Sequence, residues 1–197
     1  MALEHGEYFN IAHIESGSKI YGPGTRFVIW FQGCSLACKG CWNKQMWSVK
    51  RHTLIHREEL LELILAEPEI SGVSFLGGEP LEQADNLLWL LSKIRATSDL
   101  TTFVFTGFEE NELEDLQYVD RLFELCDMLA VGRYEVQRRN TLQQWIGSDN
   151  QKIIYPKGSR EFEPQKMVNQ VELIIGDDAS ISILGFPDEV LVSALEK

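Results

Sequence analysis

Apolar positions along this chain follow two rhythms that alternate. Short runs in which nearly every residue is apolar, aromatic or β-branched occur at residues 26–31 (RFVIWF), 72–76 (GVSFL), 101–105 (TTFVF) and 128–131 (MLAV). Runs of that length and composition predict strands buried on both faces. Between them the spacing lengthens to a helical period. Leu60, Leu61, Ile64 and Leu65 share one face over residues 58–66, before Pro68 ends the run. Ala84, Leu87, Leu88, Leu91 and Ile94 recur at i, i+3, i+4, i+7 and i+10 over residues 82–95, and Leu116, Val119, Phe123 and Cys126 line a helix over 109–127. Strands and helices in alternation imply parallel strands joined by right-handed crossovers, an α/β class.

The flanks are less regular. Residues 9–15 read as a leading strand or extended arm, and Gly22, Pro23 and Gly24 then forbid a continuing element. Beyond Gly132 the polar spacing over 134–144 admits a helix, and a strand is predicted at 152–155. Residues 156–164 are turn-rich and read as a linker. Alternating runs at 171–175 and 180–184, parted by Gly176, Asp177, Asp178 and Ala179, predict a β-hairpin, and Asp188 and Glu189 open a short helix after Pro187. The expected division is a core over 1–155 and an extension over 156–197 that either caps the sheet edge, the preferred reading given how sheets protect their edges, or touches a partner.

In parallel α/β architectures, chemistry collects on the loops that leave the C-terminal ends of strands. Four motifs fall there: a cysteine loop after residue 31, Gly77-Gly78-Glu79-Pro80, Thr106-Gly107 and Gly132-Arg133. The loop carries Cys34, Cys38 and Cys41, spaced C-x3-C-x2-C. Thiolates are the ligands of iron–sulfur clusters, so three of them propose a [4Fe-4S] cluster with one iron left open for a reagent. Two other arrangements use the same thiols: a structural zinc site completed by His52 or His56, and an all-cysteine electron carrier completed by Cys126. Cys126 sits on an apolar helical face and reads as a buried small residue without chemistry.

The spacing resembles the signature of radical S-adenosylmethionine enzymes. More closely, residues 22–47 (GPGTRFVIWFQGCSLACKGCWNKQMW), with GGEP at 77–80, TGF at 106–108 and WIGSDNQ at 145–151, resemble the activating enzymes of anaerobic ribonucleotide reductases over roughly residues 10–155. The resemblance implies an open partial (β/α) barrel with mostly parallel strands, here followed by a small C-terminal hairpin. It implies that Cys34, Cys38 and Cys41 hold the cluster and that S-adenosylmethionine chelates the fourth iron. Gly77, Gly78, Glu79 and Pro80 would cradle the methionine amino group, since glycines let a backbone approach closely and a carboxylate balances an ammonium. Gly40, Trp42 and Asn43 lie where relatives contact adenine, and Thr106 and Gly107 where they contact ribose or carboxylate. Reductive cleavage would yield a 5'-deoxyadenosyl radical that removes a backbone Cα hydrogen from a glycyl radical enzyme. One position departs from the family: Val131 stands where relatives usually carry Asp. A radical enzyme acting on a peptide or small molecule, and a non-catalytic metal-stabilised module, remain alternatives from the residues.

Composition narrows the setting. A chain of 197 residues, 44% hydrophobic, can bury one sizeable core with a small appendage. Three of its four cysteines crowd into eight residues, which is no disulfide framework and suits a reducing cytoplasm. The first ten residues lack the basic start and apolar run of a signal peptide, and no segment has the length of a membrane span. A net charge of −12 argues against nucleic-acid binding. Its distribution is uneven: between residues 16 and 57 there is no Asp or Glu, while Lys19, Arg26, Lys39, Lys44, Lys50, Arg51 and Arg57 give +7, leaving −19 elsewhere. Such an island either steers an acidic electron donor of the flavodoxin or ferredoxin type to the cluster or merely spares three thiolates further negative charge.

Overall fold

The computed structural model describes residues 5–161, 168–178 and 180–195. Its elements, in chain order, are β1 (Tyr8–Ser18), β2 (Arg26–Phe31), β3 (Thr53–His56), α1 (Arg57–Ala66), β4 (Gly72–Gly77), α2 (Ala84–Thr97), β5 (Thr101–Phe105), α3 (Glu110–Glu114), α4 (Val119–Leu125), β6 (Met128–Val131), β7 (Lys152–Ile154), β8 (Val171–Ile175), β9 (Ile181–Gly185) and α5 (Glu189–Leu195). Seven strands form one mixed sheet in the order β3-β1-β2-β4-β5-β6-β7. The four apolar runs are its parallel centre: β2 pairs with β4, β4 with β5 and β5 with β6, all parallel.

The outer pairs run the other way, so the parallel character is confined to the middle of the sheet. β1 is antiparallel to β2 and β3, and β7 is antiparallel to β6. For β1 and β2 the connection over residues 19–25 requires this, because a parallel return needs a crossover of a dozen residues or more. β3 escapes detection in the sequence: four residues between basic positions and a helix start carry no readable alternation. It exists because β1 offers it a paired edge.

Each central strand shows one set of side chains to the helices and the other to the opposite face. Phe27, Ile29 and Phe31 join Phe75, Leu60, Ile64, Leu87 and Leu91 in the helix-side core. Val28, Trp30 and Leu76 turn the other way, with Ile20 and Tyr21, and Phe103, Met128, Ala130 and Trp145 continue that second face. On α1 only Leu60 and Ile64 are buried, and Leu65 is exposed, because a helix resting on a sheet covers a narrower stripe than the apolar positions span.

Two helical expectations are corrected. Residues 109–127 form α3 and α4 with a break between them. A single helix of that length would run about 28 Å, while β5 is five residues long and such a strand spans only about 17 Å. Two short helices return the chain within the height of the sheet. Over 134–144 only Val136–Arg138 makes a helical turn. The backbone there folds back on the segment that follows it instead: Asn140 N donates to Gly147 O at 2.9 Å and Asp149 N to Arg138 O at 3.0 Å.

At the N-terminal ends of the parallel strands lies Arg26, whose side chain is fully buried. Its Nε donates to Ser74 Oγ (3.2 Å), Nη1 to Thr101 Oγ1 (2.7 Å), and Nη2 to Val73 O (2.9 Å) and Thr101 O (3.1 Å). A Cβ at Gly72 would sit 2.2 Å from Nη1, so the glycine is there to admit the guanidinium. Burial lowers its pKa to about 10, against the pull of Glu161 3.8 Å away. Nearby, Asp127 accepts from Thr102 N and from Arg160 N, Nε and Nη2. The described part of the expected linker is therefore laced under the sheet as far as Glu161; residues 162–164 lie outside the described residues.

The hairpin forms, with Val171 opposite Gly185 and Ile175 opposite Ile181. It does not cap a sheet edge as expected. It is a separate two-stranded sheet, and Leu184 packs on the second face against the cluster of Ile20, Tyr21 and Trp30.

Candidate functional site

The cysteine loop starts where β2 runs out of partners. Gly33, at φ +108°, turns the chain, and its N–H donates to Met46 O at 2.8 Å while Cys34 N donates to Trp47 O at 3.2 Å. The loop is thus closed at its base by its own far end. Ser35 N donates to Glu82 Oε1 at 2.7 Å, which ties it to the start of the helical segment after β4. Ala37 adopts φ +46°, a left-handed conformation that costs a non-glycine residue about 1 kcal/mol. Strain of that kind persists where surrounding contacts hold it, and clusters at functional sites.

Gly77 and Gly78 are explained by backbone meeting backbone. A Cβ at Gly77 would lie 2.7 Å from Phe31 N and one at Gly78 2.2 Å from Gly33 O. Gly78 N donates to Phe31 O and Glu79 N to Gly33 O, both at 2.8 Å, so the GGEP turn is docked on the root of the cysteine loop. Glu79 is 1% exposed. Its Oε1 accepts from Leu81 N (3.0 Å) and Thr106 Oγ1 (2.9 Å), and Oε2 from Gly107 N (2.9 Å). One carboxylate therefore joins the ends of β4 and β5. Burial pushes its pKa up to about 7 despite these hydrogen bonds.

The rim continues at β6. Gly132 turns at φ +108°, and Gln151 holds it: Oε1 accepts from Gly147 N (2.8 Å) and Ser148 N (3.2 Å) while Nε2 donates to Gly132 O (2.8 Å). This gives the WIGSDNQ segment its role, which is to fold the chain back over the end of β6. Arg133 pairs with Glu112, holding α3 to the same rim.

These loops surround a cavity of about 540 Å³. Cys34, Cys38 and Cys41 all line it, as do Gly77, Gly78, Glu79, Thr106, Gly107, Trp42 and Asn43. Gly40 and Pro80 do not: Gly40 turns at φ +82° with Val136 against it, and Pro80 is buried. Trp42 is 43% exposed, with the Arg139 guanidinium 4.8 Å above its ring. Several further contributors carry little local signal in the sequence. Tyr21, Trp30 and Trp145 form an aromatic wall, signalled for Trp30 by its period-two partnership with Val28. Glu82 was legible only as a helix residue, because its partner Ser35 is 47 positions away.

The donor set suits a cluster. His52 Nδ1 lies 3.0 Å from Ile11 O, and the side chain of His56 accepts from Glu58 N to cap α1; neither lines the cavity. Among the described residues no three His, Cys, Asp or Glu side chains form a single-ion site. What faces the cavity is three thiols on one loop, soft donors of the kind that select iron–sulfur clusters. Burial raises Cys34 to about 11 and raises Cys38 as well. Iron binds the thiolate form, so loading a cluster works against this burial.

Comparison with known proteins agrees. The family model of the 4Fe-4S single cluster domain matches residues 20–154. The chain belongs to this family of radical S-adenosylmethionine activating enzymes. Among its members, the anaerobic ribonucleoside-triphosphate reductase-activating protein of Vibrio cholerae is 30% identical over 145 residues, 68% of this chain and 90% of that protein. The protein of the same name from Enterobacteria phage T4 is 28% identical over 142 residues, 68% of this chain and 86% of its own. Pyruvate formate-lyase-activating enzyme of Listeria monocytogenes is 30% identical over 136 residues, 66% of this chain and 55% of its own. Among the described residues no helix is long and apolar enough to cross a membrane.

Proposed function

We propose that this member of the family activates a glycyl radical enzyme of the anaerobic ribonucleotide reductase type by removing a Cα hydrogen from one of its glycines. The observation that carries the reading is convergence: three thiols of one loop, the Gly77–Glu79 turn and Thr106–Gly107 meet on one cavity. Cys34, Cys38 and Cys41 would hold three irons of a [4Fe-4S] cluster, leaving the fourth for the amino and carboxylate groups of S-adenosylmethionine. When bound, the cluster supplies the electron that splits the sulfonium carbon–sulfur bond into methionine and a 5'-deoxyadenosyl radical.

The chain's own residues orient and exclude. Glu79, fixed by three hydrogen bonds, offers a carboxylate to an ammonium group. Thr106 and Gly107 stand beside it for the ribose or carboxylate, and Gly40, Trp42 and Asn43 border the place for adenine. Trp30, Tyr21 and Trp145 present apolar surface that keeps water from a radical. We read the four parallel strands as the open part of a (β/α) barrel, residues 1–155 as the catalytic unit and 156–197 as its extension, working in the cytoplasm.

Lys39, Lys44, Lys50 and Arg51 are exposed around the cysteine loop, which supports docking of an acidic flavodoxin or ferredoxin-type donor. Arg26 is buried and Arg57 pairs with Glu7, so neither belongs to that surface. The test is anaerobic reconstitution followed by dithionite and S-adenosylmethionine: 5'-deoxyadenosine is expected, and a glycyl EPR doublet once the partner reductase is added. A loaded protein that leaves the sulfonium compound intact would refute the reading.

A further inference from the structure

The family match ends at Ile154, yet one wall of the cavity comes from beyond it. Ile183, Leu184, Gly185, Phe186 and Pro187 line the same space as the thiols. They belong to the β8–β9 hairpin and the turn that follows, a unit without backbone pairing to the main sheet.

The hairpin is fastened on both sides of the parallel strands. On the β1–β2 side, Glu172 accepts from Ser18 Oγ (2.6 Å) and Lys19 N (2.7 Å), and Gly185 N donates to the Tyr21 phenol oxygen (2.8 Å). On the β6–β7 side, Arg139 donates to Pro187 O while its guanidinium lies over Trp42 of the cysteine loop, and Gln144 Nε2 donates to Gln170 Oε1 (3.0 Å). Two glycines are shaped to the fit. A Cβ at Gly147 would meet the Phe186 ring at 2.7 Å, and Gly185, at φ +96°, would put one 2.8 Å from Gln170 O and 3.0 Å from Ile20.

A unit so seated crosses the face of the sheet that the helices leave bare. The room it leaves is small. A space of about 540 Å³ is of the size that one ligand fills, within the range of roughly 300–1,000 Å³ for such pockets. The proposed cofactors would share that space, and what they leave for a substrate is bounded on one side by Leu184, Phe186 and Pro187.

We infer that the β8–β9 hairpin, through Leu184, Phe186 and Pro187, is the substrate-selecting wall of this site, admitting an extended peptide segment with glycine at the reacting position. This rests on the function proposed above and adds to it the element that sets the substrate's width. The wall has a second consequence. While it stands, the radical meets only the segment it admits; when it is trimmed, organic buffer molecules enter and the radical takes a hydrogen atom from their C–H bonds, giving 5'-deoxyadenosine and a buffer-centred radical in place of a glycyl radical.

The test uses the full-length chain, reconstituted, as wild type and as Phe186→Ala, Leu184→Ala and Phe186→Leu, with anaerobic ribonucleoside-triphosphate reductase as the protein probe. Two quantities are read: 5'-deoxyadenosine formed without the reductase, and 5'-deoxyadenosine formed per glycyl radical with it. Phe186→Ala and Leu184→Ala are expected to raise both by about tenfold, the scale on which a pocket discriminates by a few methylenes, and Phe186→Leu to restore most of the coupling. If iron content or thermal stability falls while both quantities hold, the hairpin is packing only and the inference is overturned. A wild-type protein that makes no 5'-deoxyadenosine overturns the proposed function itself, and the inference with it.

Discussion

The two ends of the parallel strands treat buried charge in opposite ways. At the N-terminal ends, Arg26 is sealed among Ser74, Thr101 and Val73, and Asp127 is enclosed by Arg160, Arg95 and Thr102. Each charge there meets partners of opposite sign or fitting dipoles. At the C-terminal ends, Glu79 and Glu82 are buried beside three thiols with no cation bonded to either carboxylate among the described residues, and the backbone carries left-handed turns at Gly33, Ala37, Gly77 and Gly132. One end is built to be stable; the other stores cost where a cationic, metal-bound ligand would relieve it.

Removing a thiol breaks the contrast most completely. Cys38→Ala is expected to abolish 5'-deoxyadenosine formation and to lower iron bound per chain, measured by anaerobic iron and sulfide analysis, with little change in the unfolding midpoint. Arg26→Met does the reverse. It leaves Glu161 and the Thr101 carbonyl without their cation and is expected to cost about 3–5 kcal/mol in urea denaturation, while the folded fraction still cleaves S-adenosylmethionine.

The carboxylates sharpen the comparison through pH. Burial raises Glu79 to about 7 from an ordinary 4.5, so its protonated form belongs to the folded state. Its contribution is whole below about pH 4.5 and is lost as pH rises through about 7, a swing of the order of 3 kcal/mol at 1.36 kcal/mol per unit. Glu79→Gln should flatten the stability profile of the metal-free protein across that window. Asp127 has the opposite sign. Burial alone would raise it, but hydrogen bonds from Arg160 and Thr102 outweigh burial and hold the carboxyl below its usual 3.8. Its stabilisation is present above that range and is lost as pH falls through the lowered value, so Asp127→Asn should unfold at milder acid with less dependence on pH. The smallest effect belongs to Cys126, buried with its pKa pushed up to about 12 by desolvation. Cys126→Ala should cost about 1 kcal/mol of packing and leave cluster loading and 5'-deoxyadenosine unchanged.

Much of the active end was readable because its signals are local. The spacing of Cys34, Cys38 and Cys41, and the turns following residues 76, 105 and 131, are contiguous, and strand polarity alone gathers them on one rim. Residues that act across long gaps were silent. Nothing near Glu82 announces that it holds Ser35, and the sequence around Gly78 does not say that Gly33 O fills the space its side chain would need. Arg26 shows the same gap from the other side: it stands in the GPGTR stretch of the family resemblance, but structure places it at the far end of the strand from the thiols, as a plug. The hairpin was legible as a hairpin; its seat across the sheet was not.

By itself the sequence determined the α/β alternation, the parallel direction of the apolar strands and the C-x3-C-x2-C spacing of the cysteine loop, because each depends on periodicity or spacing within a few residues. Only the tertiary structure decided which carboxylates are buried, why two glycines are required and what closes the cavity. Those outcomes depend on which distant backbone arrives at a given place, and arrival is settled by the packing of the whole sheet.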